Sequence, residues 1–428
     1  MFSTTLSVRA KERIDLSESE KKIVDNLNAV VRHFNLPTQL RIAGGWVRDK
    51  LLGLECHDID IVLDDMMGRE FCEKVEEYLL QKGEEIRGSC VINCNPDQSK
   101  HLETARMHVF NVWIDFVNLR SEDYSDNSRI PTMRFGTPEE DAFRRDLTIN
   151  SLFYNIRTDS VEDFTGRGIQ DLNSGKIVTP LPAKQTFLDD PLRILRAIRF
   201  GSRFNFELDE EIKTAAADSD IKTALANKIS RERIGIEIDK MISDNQPVKA
   251  LAYISELQLF WSVFSLPPEM QPSMPKECER NCVDYMDSAW RLFQAMGPSF
   301  ATDGQRHVFL YAALLLPLYK DMKWKVVKNK KIPSPSVNYV ISTCLKLNKN
   351  VAQNVTALHV AADKFLSVIP ALLKSDEDLQ AVEVEWKRDV IEVPVTCKLR
   401  ILCGIIMKEI KESWRTALVL CLLQYPRE

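Results

Sequence analysis

The sequence contains no apolar stretch that approaches the roughly 20 residues a helix needs to span a bilayer. The candidate segment LYAALLLPLY is too short and is interrupted by Pro317. The chain also has no excess of positive charge, since its formal net charge is −5 and its isoelectric point is about 5.9. Whole-molecule attraction to nucleic acid is therefore excluded, and any such binding has to come from local basic surface.

Cysteine pairs with the spacing of a zinc knuckle are also missing. Among the ten cysteines only Cys90/Cys94 and Cys278/Cys282 come close together, and neither pair has the required two-residue gap. We therefore expect buried free thiols in a reducing compartment. The glycines of AGG lack the third, spaced glycine of a dinucleotide-binding fingerprint, which excludes a dinucleotide dehydrogenase.

The spacing of the apolar residues along the chain changes near residue 165. Before that point, strand-like runs occur at LRIAG, DIDIVL, CVIN, ARMHVF and VWIDFVNL, with helical patterns from the capping box of Ser17 and Glu20 and over GREFCEKVEEYLLQKG. Beyond it the apolar residues follow the helical period. We predict an α+β unit followed by an all-α remainder, in about three domains by length.

Two carboxylates lie one residue apart in the apolar run DIDIVL. Because side chains alternate along a strand, Asp58 and Asp60 share one face, where they repel each other unless a cation lies between them. Hard Mg²⁺ takes one or two carboxylates together with substrate phosphates. Two such ions can activate a hydroxyl and neutralise a leaving pyrophosphate. The alternative is a strand whose aspartates only face water.

The residues around this strand suit the same chemistry. Gly44 and Gly45 allow backbone amides to approach phosphates without an intervening Cβ, and Arg48 can bind a phosphate oxygen. A third acid, Asp115 in NVWIDFVNL, shares its strand face with apolar residues, a poor place for an unpaired charge. This placement predicts either a further carboxylate at the same metals or an ion pair with a local partner such as Arg120.

Polar residues run directly into an apolar segment in RRDLTINSLFYN. Arg144 and Arg145 are adjacent and are expected to point to different sides, and Asp146 and Asn150 follow them. These side chains can contact the sugar and phosphates of a nucleotide. They can equally form the start of a helix, whose dipole favours acids.

The segment FLDDPLRILRAIRFGSRF reads as a helix. In this helix Asp190 is the N-cap and Pro191 is the first helical residue, and these structural roles alone are sufficient to explain both residues. Four arginines fall within about a third of the helix circumference: Arg193, Arg196, Arg199 and Arg203. Such a stripe is a ready site for phosphates or bases, and its alternative is a solvated helix face.

Together these segments resemble, in order, the motifs of the class II tRNA nucleotidyltransferases, the CCA-adding enzymes, within the polymerase-β-type nucleotidyltransferase superfamily. AGGWVRD with HDIDIVL is similar to the first motif, RRDLTIN to the second, DFTGRGIQDL to the third, a flexible link, DDPLRILRAIRF to the fourth and SRERIGIE to the fifth. The resemblance covers residues 40–240, and it implies a role for each matching residue.

The implied catalytic residues are Asp58, Asp60 and Asp115, with Asp58 and Asp60 as metal ligands. The implied substrate-binding residues are Gly44, Gly45, Arg48, Arg144, Arg145, Asp146, Asn150, Asp190, Arg193, Arg196 and Arg199. Among these, Asp190 and Arg193 would read the incoming base. An accepting carboxylate beside a donating guanidinium suits the amino group and ring nitrogen of C and A, whereas G and U present the opposite polarity.

The resemblance further implies that the chain adds C, C and A to the 3′ end of tRNA from CTP and ATP, with two Mg²⁺ ions and no organic cofactor. The implied fold is an α+β head with a mixed sheet of about five strands, followed by helical domains. We expect the head at 1–165, the neck at 166–240, the body at 241–310 and the tail, which contacts the tRNA acceptor arm, at 311–428. The sequence predicts no membrane partner and does not predict an oligomeric state.

An intracellular location is expected, in the cytoplasm or nucleus, with the mitochondrion as an alternative. The first eleven residues, MFSTTLSVRAK, are hydroxylated, basic and free of acids, as in a transit peptide. A lysine-rich run, which we call the lysine patch, is the densest basic segment outside the predicted site: Lys323, Lys325, Lys328, Lys330 and Lys331. It predicts either an RNA contact or a solvated loop.

Other functions stay open at this point. Enzymes that add only CC or only the final A share these motifs, although the linker SEDYSDNSRIPTMRFGTPEE favours full CCA addition. A poly(A) polymerase shares the head motifs but usually carries a basic body, which the acidic balance of this chain disfavours. A catalytically inactive RNA-binding module is the alternative outside enzymes, and the intact Asp58 and Asp60 argue against it.

Overall fold

The computed structural model describes residues 10–84, 89–92, 104–123, 132–266, 277–321, 324–327, 330–333, 335–372 and 395–424. The chain forms two compact units, Met1–Lys228 and Ile229–Glu428. The predicted transit-like segment lies almost entirely outside the described residues. The predicted four-domain division is finer than these two units and stays a prediction.

The first unit combines a central sheet with helices. Its helices are α1 Glu18–His33, α2 Gly45–Leu51, α3 Gly68–Gln81, α4 Pro138–Phe143, α5 Gly168–Ser174, α6 Ala183–Asp189, α7 Leu192–Arg203, α8 Glu210–Ala217 and α9 Ser219–Lys228. Its strands are β1 Leu40–Ala43, β2 Ile59–Leu63, β3 Ser89–Ile92, β4 Thr104–Val109, β5 Val112–Asn118, β6 Arg120–Asp123, β7 Thr132–Phe135, β8 Phe153–Asn155, β9 Ser160–Glu162, β10 Lys176–Ile177 and β11 Glu207–Leu208.

Seven strands form one mixed sheet in the order β3-β4-β5-β2-β1-β8-β9. Strands β2 and β5 run parallel, and the other neighbours run antiparallel. The five predicted strands are confirmed as β1 to β5. The sheet is larger than the expected five because β8 and β9, of three residues each, are too short to show period-2 alternation.

Helix α3 covers one face of this sheet, the closed face. On the other face, which we call the open face, Ala43, Val62 and Phe153 pack against Ala142 of α4, and the carboxylates lie beside this cluster. Ile61, Ile114 and Phe116 point to the closed face and are fully buried. The ring of Phe71 on α3 lies 5.5 Å from that of Phe116, and burial of such a side chain contributes about 1.5–3 kcal/mol. Since side chains alternate, the neighbouring Asp60 points to the opposite face.

The second unit is mostly helical, as predicted. Its helices are α10 Arg231–Ser243, α11 Pro247–Glu256, α12 Phe260–Val263, α13 Cys278–Met296, α14 Asp303–Leu314, α15 Leu316–Asp321, α16 Pro335–Tyr339, α17 Lys349–Leu372, α18 Val395–Ile410 and α19 Trp414–Gln424, and its strands are β12 Trp324–Val327 and β13 Lys330–Pro333. The expected all-α remainder beyond residue 165 therefore needs a correction. The short pairs β10–β11 and β12–β13 interrupt it, because strands of two to four residues carry no readable alternation.

Two predictions from absent features can be compared with the described residues. No helix described in either unit is long and apolar enough to cross a membrane. The cysteines whose side chains are described are free thiols, and most of them are buried: Cys72, Cys278, Cys282, Cys344 and Cys421. For these residues the expectation of buried thiols is confirmed.

A glycine in the segment similar to the fifth motif marks a close contact inside the second unit. A Cβ at Gly235 on α10 would lie 1.8 Å from the carbonyl oxygen of Leu345, and backbone cannot give way there. We expect Gly235→Ala to lower the free energy of unfolding by about 1–3 kcal/mol, measured by urea denaturation. The control is Gly304→Ala on α14, where a Cβ meets nothing within 4 Å. Equal stability of the two variants would contradict this prediction.

Candidate active site

Strands β2 and β5 bring the predicted carboxylates to the open face of the sheet. The parallel pairing places Asp60 directly beside Asp115, and Asp58 immediately precedes β2. Burial raises the pKa of the Asp60 carboxyl to about 6, and the negative charges of Asp58 and Asp115 add to this shift. Negative charge therefore accumulates around Asp60, where the sequence predicts a bound cation.

The donor set fits a hard divalent cation. Carboxylate oxygens are the ligands of Mg²⁺, which usually keeps several waters and binds through only one or two carboxylates plus substrate phosphates. Among the side chains that the structure describes, no group of three or more His, Cys, Asp or Glu residues is arranged to hold a metal ion. The role of Asp58 and Asp60 as metal ligands, completed by phosphates, stays a prediction.

The third carboxylate has a partner that the sequence reading did not identify. Arg106 on β4 donates two hydrogen bonds to Asp115, at 2.5 and 2.7 Å. The expected local partner Arg120 instead forms an ion pair with Glu122 at 3.1 Å. The two-residue turn at Phe110–Asn111, which joins β4 to β5, fixes this register. Recognising that turn would have aligned Arg106 with Asp115.

Gly44, in the first predicted segment, lies against the second segment. Its φ of +73° is in the left-handed region, and a Cβ there would lie 2.9 Å from Nη1 of Arg145. The backbone conformation therefore favours glycine, and a Cβ would displace the end of the Arg145 side chain. Gly45 follows as the first residue of α2. The backbone at this turn passes directly beside the Arg145 guanidinium, and phosphate binding by the turn stays a prediction.

Arg48 on α2 is buried, with 3% of its surface exposed. Its Nε donates to Asp49 at 2.8 Å, and its Nη1 donates to Asn150. The guanidinium also lies 4.7 and 4.8 Å from the ring centres of Phe200 and Phe204. Burial lowers the pKa of Arg48, whereas the charge of Asp49 raises it in part. Arg48 thus links the first, second and fourth segments, and its contact with a phosphate stays a prediction.

Asp141 on α4 is a central residue that the sequence reading missed. It is fully buried, and it accepts hydrogen bonds from Arg144 through Oδ1 and from Arg145 through Oδ2, both at 2.8 Å. Burial alone would raise the pKa of Asp141, but the two arginines lower it to about 2. The expectation that Arg144 and Arg145 point to different sides was therefore wrong. The signal was the spacing of three and four residues, which places helical side chains on one face.

Asp146 joins the second segment to the arginine helix α7. Its Oδ2 accepts a hydrogen bond from Arg196 at 2.7 Å, and its Oδ1 accepts one from Asn150 at 3.1 Å. Although burial opposes ionisation, Arg196 and Asn150 lower the pKa of Asp146 to about 2. One turn earlier on α7, Arg193 donates to the backbone oxygen of Arg144 at 2.7 Å. These contacts hold α7 against the second segment.

The start of α7 places the two predicted base-reading residues side by side. The helix begins at Leu192, one residue later than predicted, within the usual uncertainty of helix ends. Oδ1 of Asp190 accepts a hydrogen bond from the backbone N–H of Leu192 at 3.2 Å, so the carboxylate does cap the helix. The N–H of Arg193 bonds to the backbone oxygen of Asp190 at 3.0 Å, which fixes the distance between the two residues.

The arginine stripe of α7 is not a solvated face over its whole length. Arg193 and Arg199 are buried, and the Arg199 guanidinium lies 4.1 Å from the ring centre of Phe200. Arg196 is partly exposed and Arg203 is exposed, and Arg203 lies 3.9 Å from Asp49. Burial of two arginines costs free energy unless they are paired, so this part of the stripe faces polar groups of the same unit.

The third segment packs against the second. Thr148 donates a hydrogen bond to Asp171 on α5 at 2.7 Å. A Cβ at Gly168 would lie 2.6 Å from the carbonyl oxygen of Thr148, so only glycine allows α5 to approach this closely. The predicted flexibility of this segment stays a prediction, whereas its contact with the second segment is a finding.

Comparison with known proteins gives consistent matches. Residues 40–178 match the model of the poly A polymerase head domain family. A mitochondrial CCA tRNA nucleotidyltransferase of Candida glabrata is 52% identical over 58% of this chain and 48% of its own length, so this match spans about half of that relative. The mitochondrial CCA tRNA nucleotidyltransferase of Saccharomyces cerevisiae is 41% identical over 79% of this chain and 68% of its own length.

A solved structure shares the fold at lower sequence similarity. The Thermotoga maritima CCA-adding enzyme complexed with tRNA superposes with a TM-score of 0.59 at 20% identity. The match covers 93% of this chain and 84% of that one.

Proposed function

Since this chain belongs to the tRNA nucleotidyltransferase family, we propose that it adds C, C and A to the 3′ end of tRNA. CTP and ATP are the substrates, and no nucleic-acid template is used. The 3′-hydroxyl of the RNA attacks the α-phosphate of the nucleotide, and pyrophosphate leaves. The observation that carries this proposal is the convergence of three segments: Asp60 lies within the electrostatic reach of Arg145, and Asp146 ties the same region to α7.

Asp58 and Asp60 are proposed to hold two Mg²⁺ ions, and no organic cofactor is needed. When bound, such ions activate the attacking hydroxyl and neutralise the charge of the leaving pyrophosphate. The use of divalent metal ions is general in this family. Because Arg106 binds both oxygens of Asp115, we assign Asp115 a supporting role. The ion pair with Arg106 holds the carboxylate of Asp115 in place beside Asp60.

The triphosphate and sugar are assigned to the first two segments. Backbone amides at Gly44 and Gly45 approach the phosphates, and the guanidinium of Arg145 lies beside this turn. The buried guanidinium of Arg48 adds positive charge near this turn, and its hydrogen bond orients Asn150. Asp141 holds the adjacent arginines in place, so their positive charge is organised before the nucleotide arrives. The remaining contacts to the sugar and phosphates are assigned to Arg144, Asp146 and Asn150.

The incoming base is assigned to the start of α7. Asp190 accepts from the amino group of C or A, and Arg193 donates to the neighbouring ring nitrogen, with Arg196 and Arg199 lining the same pocket. The hydrogen bonds from Arg193 to Arg144 and from Arg196 to Asp146 connect the base-reading helix to the sugar-binding segment. Base and sugar would therefore be held by one connected network.

The helical second unit is assigned to tRNA binding. We retain the proposed division into head (1–165), neck (166–240), body (241–310) and tail (311–428), with the acceptor arm along the tail. An intracellular location is part of the proposal. The two relatives described above are named mitochondrial, and this supports the mitochondrion as one compartment.

One experiment tests the proposed function against its alternatives. Purified protein is incubated with tRNA that lacks its 3′ end and with each nucleoside triphosphate separately or in combination, and the product ends are sequenced. Complete CCA ends support the proposal. Ends that stop at CC, accept only A on a CC end, or grow into poly(A) identify the specialised enzymes or a poly(A) polymerase instead. No addition at all, with tRNA binding retained, would leave an inactive RNA-binding module.

The lysine patch gives a prediction about tRNA affinity. The described hairpin β12–β13 contains Lys325, Lys330 and Lys331, whereas Lys323 and Lys328 lie outside the described residues. If the patch contacts phosphates, replacing the three hairpin lysines by glutamine should weaken tRNA binding. The slope of log affinity against log salt should flatten by about 0.7–0.9 for each phosphate that the variant no longer neutralises.

The control for this prediction removes the same amount of charge elsewhere. Lys11, Lys21 and Lys82 are exposed residues of the first unit, outside the proposed site. Their replacement by glutamine should leave the salt dependence closer to that of the original protein. An unchanged slope in the hairpin variant would assign the lysine patch to a solvated surface.

A further inference from the structure

The open face of the sheet carries more than the catalytic carboxylates. The parallel register aligns Asp60 with Asp115, and the antiparallel register aligns Asp115 with Arg106 and Trp113 with His108. Residues aligned across neighbouring strands, and residues two apart along one strand, share a face. All five side chains therefore lie on the same face, in adjacent rows.

Trp113 is the unusual member of this set. Although it lies within β5, 52% of its surface is exposed, whereas its neighbour Ile114 on the closed face is fully buried. The imidazole of His108 meets the indole edge-on, with ring centres 4.9 Å apart at an angle of 62°. This contact supports the indole from one side. A large aromatic surface is thus held in a defined orientation while much of it remains open to solvent.

The distance from Trp113 to the metal ligands is small. Strand spacing of about 4.8 Å and a rise of about 3.3 Å per residue place its Cα about 8 Å from that of Asp60. The first residue pair between β2 and β5 is Ile59 with Ile114. Asp58 and Trp113 each come one residue before that pair, so they lie at the same level along the two strands. The indole and the carboxylates are therefore near enough for the base and the 3′-hydroxyl of a single nucleotide to reach both.

We propose that Trp113, supported by His108, is a stacking platform for the base of the 3′-terminal nucleotide of the RNA being extended. This inference rests on the proposed function. The attacking hydroxyl must reach Asp58 and Asp60 on this face, so the base of the same nucleotide has to lie within a few ångströms of them. The base of the incoming nucleotide is already assigned to Asp190 and Arg193, which leaves the RNA terminus as the occupant.

Stacking suits the chemical variety of that terminus. During CCA addition the terminal base is first whichever base ends the incomplete tRNA and is then C twice. Hydrogen bonds to a base edge would select one base, whereas an aromatic surface accepts the π-face of any base. The ion pair between Arg106 and Asp115 lies in the next row of this face. Because Arg106 compensates the charge of Asp115, RNA that lies against Trp113 does not meet an unpaired carboxylate at that position.

The kinetic test compares Trp113→Ala with Trp113→Phe. With tRNA ending in CC as acceptor, we expect Trp113→Ala to raise the KM for the RNA about five- to a hundredfold, since stacking on an aromatic side chain contributes that much to affinity. The KM for ATP should stay unchanged, and Trp113→Phe should recover most of the loss. The control Leu80→Ala removes an exposed apolar side chain of α3, on the first unit and away from the proposed site, and should leave both constants unaltered.

A photochemical test reads the contact without catalysis. An acceptor-stem RNA ending in 5-iodocytidine is bound without nucleotide and irradiated, and the crosslinked residue is mapped by mass spectrometry. We expect a crosslink at Trp113 or His108, and none when 5-iodocytidine is placed six nucleotides upstream. A normal KM for RNA in Trp113→Ala, or a terminal crosslink confined to other residues, would overturn the platform. If the unaltered protein adds neither C nor A, the proposed function fails instead, and the crosslink still reports on RNA binding at this face.

Discussion

Replacing either carboxylate of the metal pair by its amide should abolish the addition of both C and A. Asp58→Asn and Asp60→Asn each remove one anionic oxygen from the proposed metal-binding pair, and the neighbouring carboxylate of Asp115 is already bound by Arg106. Metal ions supply several kcal/mol of transition-state stabilisation, and each 1.36 kcal/mol is a factor of ten in rate. We therefore expect single-turnover CMP and AMP addition to fall by at least about a hundredfold.

The controls for this prediction separate chemistry from folding and binding. Asp65→Asn changes an exposed aspartate just beyond the end of β2 and should add nucleotides normally. Asp60→Asn should be at least as stable as the unaltered protein, because burial and the neighbouring carboxylates disfavour the charged form of Asp60. The tRNA affinity of both variants should persist, since the second unit is proposed to bind most of the RNA. Near-normal CMP addition by either amide variant would remove the metal-pair interpretation.

Asp190→Asn should relax the choice of base. Asparagine still caps a helix, so the hydrogen bond to the N–H of Leu192 can be kept. Its amide, however, can present a donor where the carboxylate could only accept. If Asp190 and Arg193 read the base together, incorporation of C and A should fall together. Discrimination against G and U should fall by about 1–3 kcal/mol, as for other paired base contacts.

The competing interpretation of Asp190 predicts a different result. If Asp190 only caps α7, its replacement by alanine should lower the stability of the protein by about 1 kcal/mol and leave base choice unaltered. Asp209 provides the matched control, because its side chain caps α8 through the N–H of Glu211 at 3.0 Å. Asp209→Asn and Asp190→Asn should therefore unfold alike but differ in the ratio of C and A over G and U. Equal ratios in single-nucleotide incorporation would leave Asp190 as a cap.

Local sequence patterns were sufficient for the elements that carry the site. The capping box at Ser17 starts α1, and the alternation in DIDIVL gives the strand that presents Asp60. These predictions succeeded because capping and alternation depend on residues within one turn or one strand. Strands β8 and β9 were not predicted, because their own residues show no strand pattern and only pairing with neighbouring strands defines them.

Partners of charged residues were the weak point of the sequence reading. Asp115 was expected to bind metal or Arg120, and it binds Arg106 across a hairpin. Arg144 and Arg145 were expected to diverge, and both bind Asp141. In each case the sequence placed the charge correctly but could not say which opposite charge lies closest. Ion pairing depends on distances of a few ångströms, which strand register and helix packing set.

The sequence by itself determined the chemical content of this protein: two carboxylates one residue apart, glycines before an arginine, and an arginine-striped helix, in the order of one family's motifs. Composition and spacing are properties of the chain, and they carry this information without folding. Only the tertiary structure decided how the segments meet, through the hydrogen bond of Arg48 with Asn150 and the ion pair of Arg196 with Asp146. It also left Trp113 exposed beside the carboxylates. The physical reason is that burial and pairing belong to residues distant in sequence, and only packing brings those residues together.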